Sequence, residues 1–143
     1  MILYLDTSSL VKLYVEEPGS AEVRAVVEEA ELVTTSVVAY AEARAALARR
    51  QRERSLTRSE HGRAKAALAE DWPRILSLEV TEGLSRTAGD LAERHRLRGF
   101  DAVHLCSYLQ VADEFPTESV SFSSADATLN RAARFASRRR ATR

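Results

Sequence analysis

Short apolar runs alternate along this chain with longer stretches in which apolar residues recur every three or four positions, a pattern of strands alternating with helices. Ile2 to Leu5 is a continuous apolar run, as expected of a buried strand, and Thr7-Ser8-Ser9 offers capping hydroxyls for a helix through Leu10-Val-Lys-Leu-Tyr-Val. Pro18-Gly19 breaks the chain, and Ser20 is placed to cap a helix to about Glu29 with Ala21, Val23, Val26 and Val27 as its apolar stripe. Leu32-Val-Thr-Thr is the second strand. Ser36 then precedes an Ala-rich helical stretch from Val37 to about Arg54. Thr57 and Glu60 have capping-box spacing for a helix to about Asp71, which Pro73 ends. Ile75 to Val80 alternates as a third strand. Thr81-Glu82 opens a helix to about Arg96, closed by Gly99, with Leu84, Ala88, Leu91, Ala92 and His95 on one side. The spacing predicts a further helix over Asp101 to Ala112, a fourth strand at Val120-Ser-Phe-Ser and a last helix from Ala127 to Phe135.

This order implies βα units, hence the α/β class, with a mainly parallel sheet of four or five strands covered on both faces. In such sheets the ligand crevice lies beyond the carboxyl ends of the strands at a topological switch point. Asp6 and Asp126 follow the first and last strands, so strand assignment alone directs both there.

The chain of 143 residues is the size of one domain, expected over residues 1–136, with the basic segment 137–143 as a flexible tail. No apolar run approaches the ~20 residues of a bilayer span. Met1 leads directly into a strand without a basic leader, so the expected location is the cytoplasm, with no membrane partner. The lone Cys106 falls inside an apolar helical pattern and reads as a small buried hydrophobe.

A net charge of zero argues against holding duplex nucleic acid by bulk electrostatics alone, but the charges are segregated. Up to residue 31 seven acids face Lys12 and Arg24; from Arg44 to Lys65 eight bases face Glu53 and Glu60; after Asp126 there are six arginines and no acid. The arginines from Arg44 to Arg63 read as a solvated helical face, with the further option of tracking an RNA backbone.

Four acids sit where a carboxylate is expensive, at the edges of apolar elements: Asp6, Glu42, Asp101 and Asp126. Singly, Asp101 and Asp126 are equally well explained as helix caps. Glu42 is not, because it lies more than a turn inside a helix. A shared divalent cation explains all four, since carboxylates suit Mg²⁺ or Mn²⁺. Competing chemistries lack their residues: His61, His95 and His104 have no zinc spacing, and the five glycines are dispersed singly. His104, one turn from Asp101, is expected to be packed or hydrogen-bonded in the helix interface, the alternative being that it faces the site. Thr7, Ser8, Thr35 and Ser36 read first as caps, with Ser8 retained as a substrate contact.

Leu5-Asp-Thr-Ser-Ser-Leu-Val-Lys-Leu-Tyr, Thr35-Ser-Val-Val-Ala-Tyr-Ala-Glu, Gly99-Phe-Asp-Ala-Val-His-Leu and Phe122-Ser-Ser-Ala-Asp-Ala-Thr-Leu-Asn-Arg-Ala-Ala, in this order, resemble a PIN domain, most of all the VapC-type toxins of toxin–antitoxin pairs. The resemblance runs from residue 2 to about 135. It implies a three-layer α/β/α sandwich and a metal-dependent endoribonuclease that cleaves RNA phosphodiesters with a metal-activated water. By motif position Asp6, Glu42, Asp101 and Asp126 match the family's acidic quartet, as catalytic residues and as ligands of Mg²⁺ or Mn²⁺, and Ser8 matches a polar position beside the metal. Asp113 is the reserve for the fourth acid. The resemblance also implies an RNA substrate, a cognate antitoxin and a homodimer. The alternative is a catalytically silent PIN-like binding module acting through protein or RNA contacts.

Overall fold

The computed structural model describes residues 1–142, and Arg143, the last residue of the expected tail, lies outside them. Among the described residues the elements run β1 (Ile2–Leu5), α1 (Thr7–Val11), α2 (Ser20–Glu29), β2 (Leu32–Ser36), α3 (Val38–Arg52), α4 (Arg58–Asp71), a 3₁₀ turn (Trp72–Arg74), β3 (Leu76–Leu78), α5 (Glu82–His95), α6 (Gly99–Glu114), β4 (Val120–Ser123) and α7 (Ala127–Ala141). The four strands form one parallel sheet in the order β3-β2-β1-β4. The chain steps outward from β1 to β2 and β3, then returns to place β4 on the other side of β1. That reversal is a topological switch point, and Asp6 and Asp126 follow the two strands that flank it.

β1 is buried on both faces, and its period of two divides the core. Leu3 and Leu5 face Leu10, Val23, Ala39, Ala43, Leu47 and Leu68 from α1 to α4. Ile2 and Tyr4 face Leu84, Leu91, Leu105, Val111 and Leu129 from α5 to α7. The result is the expected α/β/α sandwich. Ala39, Ala43 and Leu47, four apart, make the stripe by which α3 reaches the sheet. α6 has an unbroken buried run from Ala102 to Tyr108 because it packs on the sheet with α5 and α7 beside it. No helix among the described residues is long and apolar enough to cross a membrane.

Several local expectations change. The cap of α1 is Asp6, whose carboxylate accepts from the Ser9 amide at 3.0 Å, so Thr7, Ser8 and Ser9 belong to the first turn itself. Gly19 rather than Ser20 precedes α2; the Ser20 hydroxyl donates to the Val15 carbonyl at 2.7 Å. Thr35 lies in β2, its hydroxyl donating to the Leu5 carbonyl at 2.7 Å, a strand-to-strand tie rather than a cap. β3 is shorter than expected because the 3₁₀ turn at Pro73 holds Ile75 back and β3 pairs with β2 only at Leu76, Ser77 and Leu78. α7 continues past Phe135 to Ala141: Ser137 Oγ lies 2.8 Å from the Tyr108 hydroxyl, and Arg140 donates to the Leu109 carbonyl at 2.6 Å and pairs with Asp113. The capping box of α4 has both of its bonds, Glu60 N to Thr57 Oγ1 at 3.1 Å and Thr57 N to Glu60 Oε1 at 2.9 Å.

Candidate active site

Asp6 sits at the carboxyl end of the central strand and is only 5% exposed. Three donors surround its carboxylate. Ser8 donates to Oδ1 at 2.7 Å, the Ser9 amide to the same oxygen at 3.0 Å, and Ser124 to Oδ2 at 2.6 Å, while its own amide is anchored to the Ser123 carbonyl at 3.0 Å. Ser8 also accepts from the Ala125 amide at 2.9 Å, and Ser124 from the Asp126 amide at 2.9 Å. The β1–α1 and β4–α7 corners are thereby tied together through the first carboxylate. Such a buried carboxylate is stable because charge-assisted hydrogen bonds replace its lost hydration.

Asp126 caps α7, with Oδ1 accepting from the Leu129 amide at 2.9 Å. Asp101 is not a cap: Arg98 precedes α6, and Asp101 occupies its first turn with Oδ2 3.5 Å from Arg98 Nε. Burial pushes the Asp101 carboxyl up; Arg98 pulls it back, and the negative charges of Asp126 and Asp6 push it up further. The charges of Asp126 and Asp6 thus reach Asp101 across the switch point. Asp113 is far from them, exposed near the end of α6, about 18 Å of helix from Asp101, and it pairs with Arg140.

Glu42, in the second turn of α3, is held differently. Oε1 accepts from Thr7 Oγ1 at 2.7 Å and lies 2.8 Å from His104 Nε2; Nδ1 of the same imidazole lies 2.9 Å from the Tyr4 hydroxyl. Glutamate can only accept, so Nε2 must carry a proton toward it, and the Tyr4 hydroxyl satisfies Nδ1 in either charge state of the ring. Tyr4 is fully buried and His104 is 2% exposed, while Glu42 is only partly buried, so the chain Tyr4–His104–Glu42 runs from the core outward to the site. Burial alone would push the Glu42 carboxyl up, but the bonds from His104 and Thr7 outweigh it and hold it below the usual carboxylate range.

Sequence reasoning missed Tyr4, Thr7 and Ser124 as members of the site and left His104 at the helix interface. His104 is indeed packed there, and it also reaches Glu42. The available signals were local: Ser8 follows Asp6 by two residues and Ser124 precedes Asp126 by two, so hydroxyls bracket both strand-end acids. The arginines of the basic stretch are partly engaged, with Arg44 on Tyr40, Arg49 on Glu53, Arg50 on Glu17 and Arg63 on Ser59.

The donor set suits a hard divalent cation, being all oxygen, and charge on Asp101 is disfavoured first by burial and then by the charges of Asp126 and Asp6. Hydrogen bonds and ion pairs among the described residues leave Asp126 Oδ2, Asp101 Oδ1 and Glu42 Oε2 without partners. As the side chains stand, no three His, Cys, Asp or Glu residues among those described are close enough together to hold one ion. Nor do the four acids line the larger surface clefts, which lie around α5, α6 and α7.

The sequence profile described as "PIN domain" matches residues 3–134. Two proteins of Mycobacterium tuberculosis, Ribonuclease VapC45 of strain CDC 1551 / Oshkosh and Ribonuclease VapC49 of strain ATCC 25618 / H37Rv, are each 40% identical to the chain over 112 residues, 78% of this chain and 78% of theirs.

Proposed function

The chain belongs to the PIN domain family, among the VapC-type toxins, and from that premise we propose that it is a metal-dependent endoribonuclease acting in the cytoplasm as the toxin of a toxin–antitoxin pair. What supports the reading is that Asp6 and Asp126 follow the two strands flanking the switch point, and that, after burial and the opposing pull of Arg98, their charges push the Asp101 carboxyl up. Asp6 and Asp101 would hold Mg²⁺ or Mn²⁺, Glu42 would bind directly or through water, and Asp126 would complete the site. The cation would supply a water acidified for attack and neutralise charge building on the phosphodiester.

The protein's own groups do the rest. Ser8, Ser124 and the Ser9 amide hold the Asp6 carboxylate in one orientation, so it need not reorganise when charge develops beside it. His104 and Thr7 keep Glu42 ionised at neutral pH by outweighing its burial. Arg98, largely exposed and next to Asp101, offsets the repulsion between an incoming phosphate and the acids. Asp126 Oδ2 has no partner among the described residues while Oδ1 caps α7, so it would be free to take a ligand. A cognate antitoxin would silence the site by covering it, and the active toxin would be a homodimer.

The test is cleavage of end-labelled RNA by the purified chain with and without Mg²⁺ or Mn²⁺. Wild type should cut only with the metal, and Asp6→Asn should lose at least about 100-fold in rate, the scale of removing a main electrostatic group. Metal-independent cutting, or full activity in Asp6→Asn, rejects the mechanism. The second reading, a silent binding module, draws on the separation of the acids in the present side-chain arrangement. It requires wild type to bind RNA or protein and leave RNA intact with either metal.

A further inference from the structure

A groove runs between α5 and α7, starting in the first turn of α7, which Asp126 caps. Its walls carry Arg94, His95, Thr128, Arg131, Phe135 and Arg139, it encloses about 440 Å³, and no acidic side chain lines it among the described residues. Thr128 stands two residues beyond Asp126, and from there to Arg139 the groove follows about 16 Å of helix. Phe135 projects from its floor, 51% exposed where a ring of that size is normally covered. The His95 ring meets it edge-on at 5.6 Å, and the Arg139 guanidinium lies 5.9 Å from its centre.

The cations of the groove are available. Arg94, Arg131 and Arg139 form no ion pair among the described residues, unlike Arg140, which is held by Asp113. Burial first, and then repulsion from the charges of Arg94 and Arg139, lower the proton affinity of His95. A polyanion laid in the groove would relieve that repulsion, and an exposed ring flanked by cations is what an unstacked base requires. A duplex presents stacked, inaccessible bases, so the fit is to a single strand.

We propose that the α5–α7 groove binds the single-stranded segment of RNA next to the scissile phosphate, with Arg94, Arg131 and Arg139 on the backbone and Phe135 stacking a base. This deepens the ribonuclease reading and rests on it for the direction of the strand, which leaves the groove at Thr128 and passes Asp126.

Binding and cleavage are measured separately on the full chain. Fluorescence anisotropy of a fluorescein-labelled single-stranded 12-mer RNA, in EDTA so that nothing is cut, compares wild type with the double variant Arg131→Glu, Arg139→Glu and with Phe135→Leu. Melting curves first confirm that the exposed substitutions leave the fold intact. The double variant should bind at least about tenfold more weakly, with a log affinity against log salt slope flatter by about 1.4, two single-strand phosphate contacts at ~0.7 each. Phe135→Leu, with every charge kept, should lose about fivefold or more through stacking. In cleavage assays these variants should raise KM with much smaller changes in kcat. Affinity and KM within twofold of wild type overturn the groove and leave the nuclease reading intact. RNA held in the groove by a wild-type protein that never cuts it keeps the groove and rejects the nuclease. Variants that keep RNA affinity but lose the antitoxin identify a protein interface, which also overturns the assignment.

Discussion

Replacing His104 with alanine probes the buried network that positions Glu42, and its cost follows from the contacts removed. The Tyr4 hydroxyl, fully buried, loses its partner at 2.9 Å, a penalty of about 1–3 kcal/mol for an unsatisfied buried donor. Glu42 loses the bond at 2.8 Å but keeps Thr7 and gains some water, because its side chain is 27% exposed, so this loss should be about 1 kcal/mol, below the ~1.5–3 of a fully buried charged bond. The space left by the imidazole, packed edge-on to the Tyr4 ring, adds about 1 kcal/mol. The total, about 3–5 kcal/mol, is a large share of the ~5–15 kcal/mol that stabilises an ordinary domain. Urea unfolding followed by circular dichroism, without metal at pH 7, measures it directly. Glu42 should respond as well: burial continues to push its carboxyl up while the strongest opposing bond is gone, so its carbon-13 NMR titration should move to higher pH. A loss below about 1 kcal/mol, with Glu42 titrating as in wild type, would refute the network.

Two other perturbations test the crowding around Asp101 and the start of α4. Asp101→Asn should stabilise the metal-free protein at neutral pH, because burial and the charges of Asp126 and Asp6 disfavour the native carboxylate. The sign follows from linkage: with its folded value raised, Asp101 binds more protons in the native than in the unfolded state, so its contribution falls as pH rises from about 4 through the folded value. The difference between wild-type and Asp101→Asn unfolding free energies should widen over that window, and a flat difference contradicts the assignment. Thr57→Ala should cost about 1 kcal/mol by breaking the capping box, read by urea unfolding, and no change would mean that α4 is held by packing alone.

The layers of the fold were legible because periodicity is a local property. The unbroken apolar run of β1, the alanine-rich stretch of α3 and the capping box of α4 each declare themselves locally. The placement of Asp6 and Asp126 was legible for the same reason, since each directly follows a strand. The wiring between the acids was not. Tyr4 and His104 are a hundred residues apart, and their contact depends on β1 turning Tyr4 toward α6 and on α6 turning His104 back. The exchange of roles at α1, where the acid caps and the Ser8 hydroxyl donates to it, goes with Ser124 arriving from beyond β4 to complete the shell around Asp6. The end of α7 was misplaced because Ser137 and Arg140 find polar partners on α6 that no apolar pattern announces.

The shared cation is the central claim, and a thermal titration of wild type, Asp6→Asn and Asp101→Asn with Mn²⁺ tests it most directly. Manganese at about 100 times its Kd adds ~2.7 kcal/mol to a protein that binds it only when folded, roughly 5–10 °C in Tm for a domain of this size. Wild type should gain that shift and both variants only a small part of it. Equal shifts in all three proteins would show that Asp6 and Asp101 do not hold a common ion.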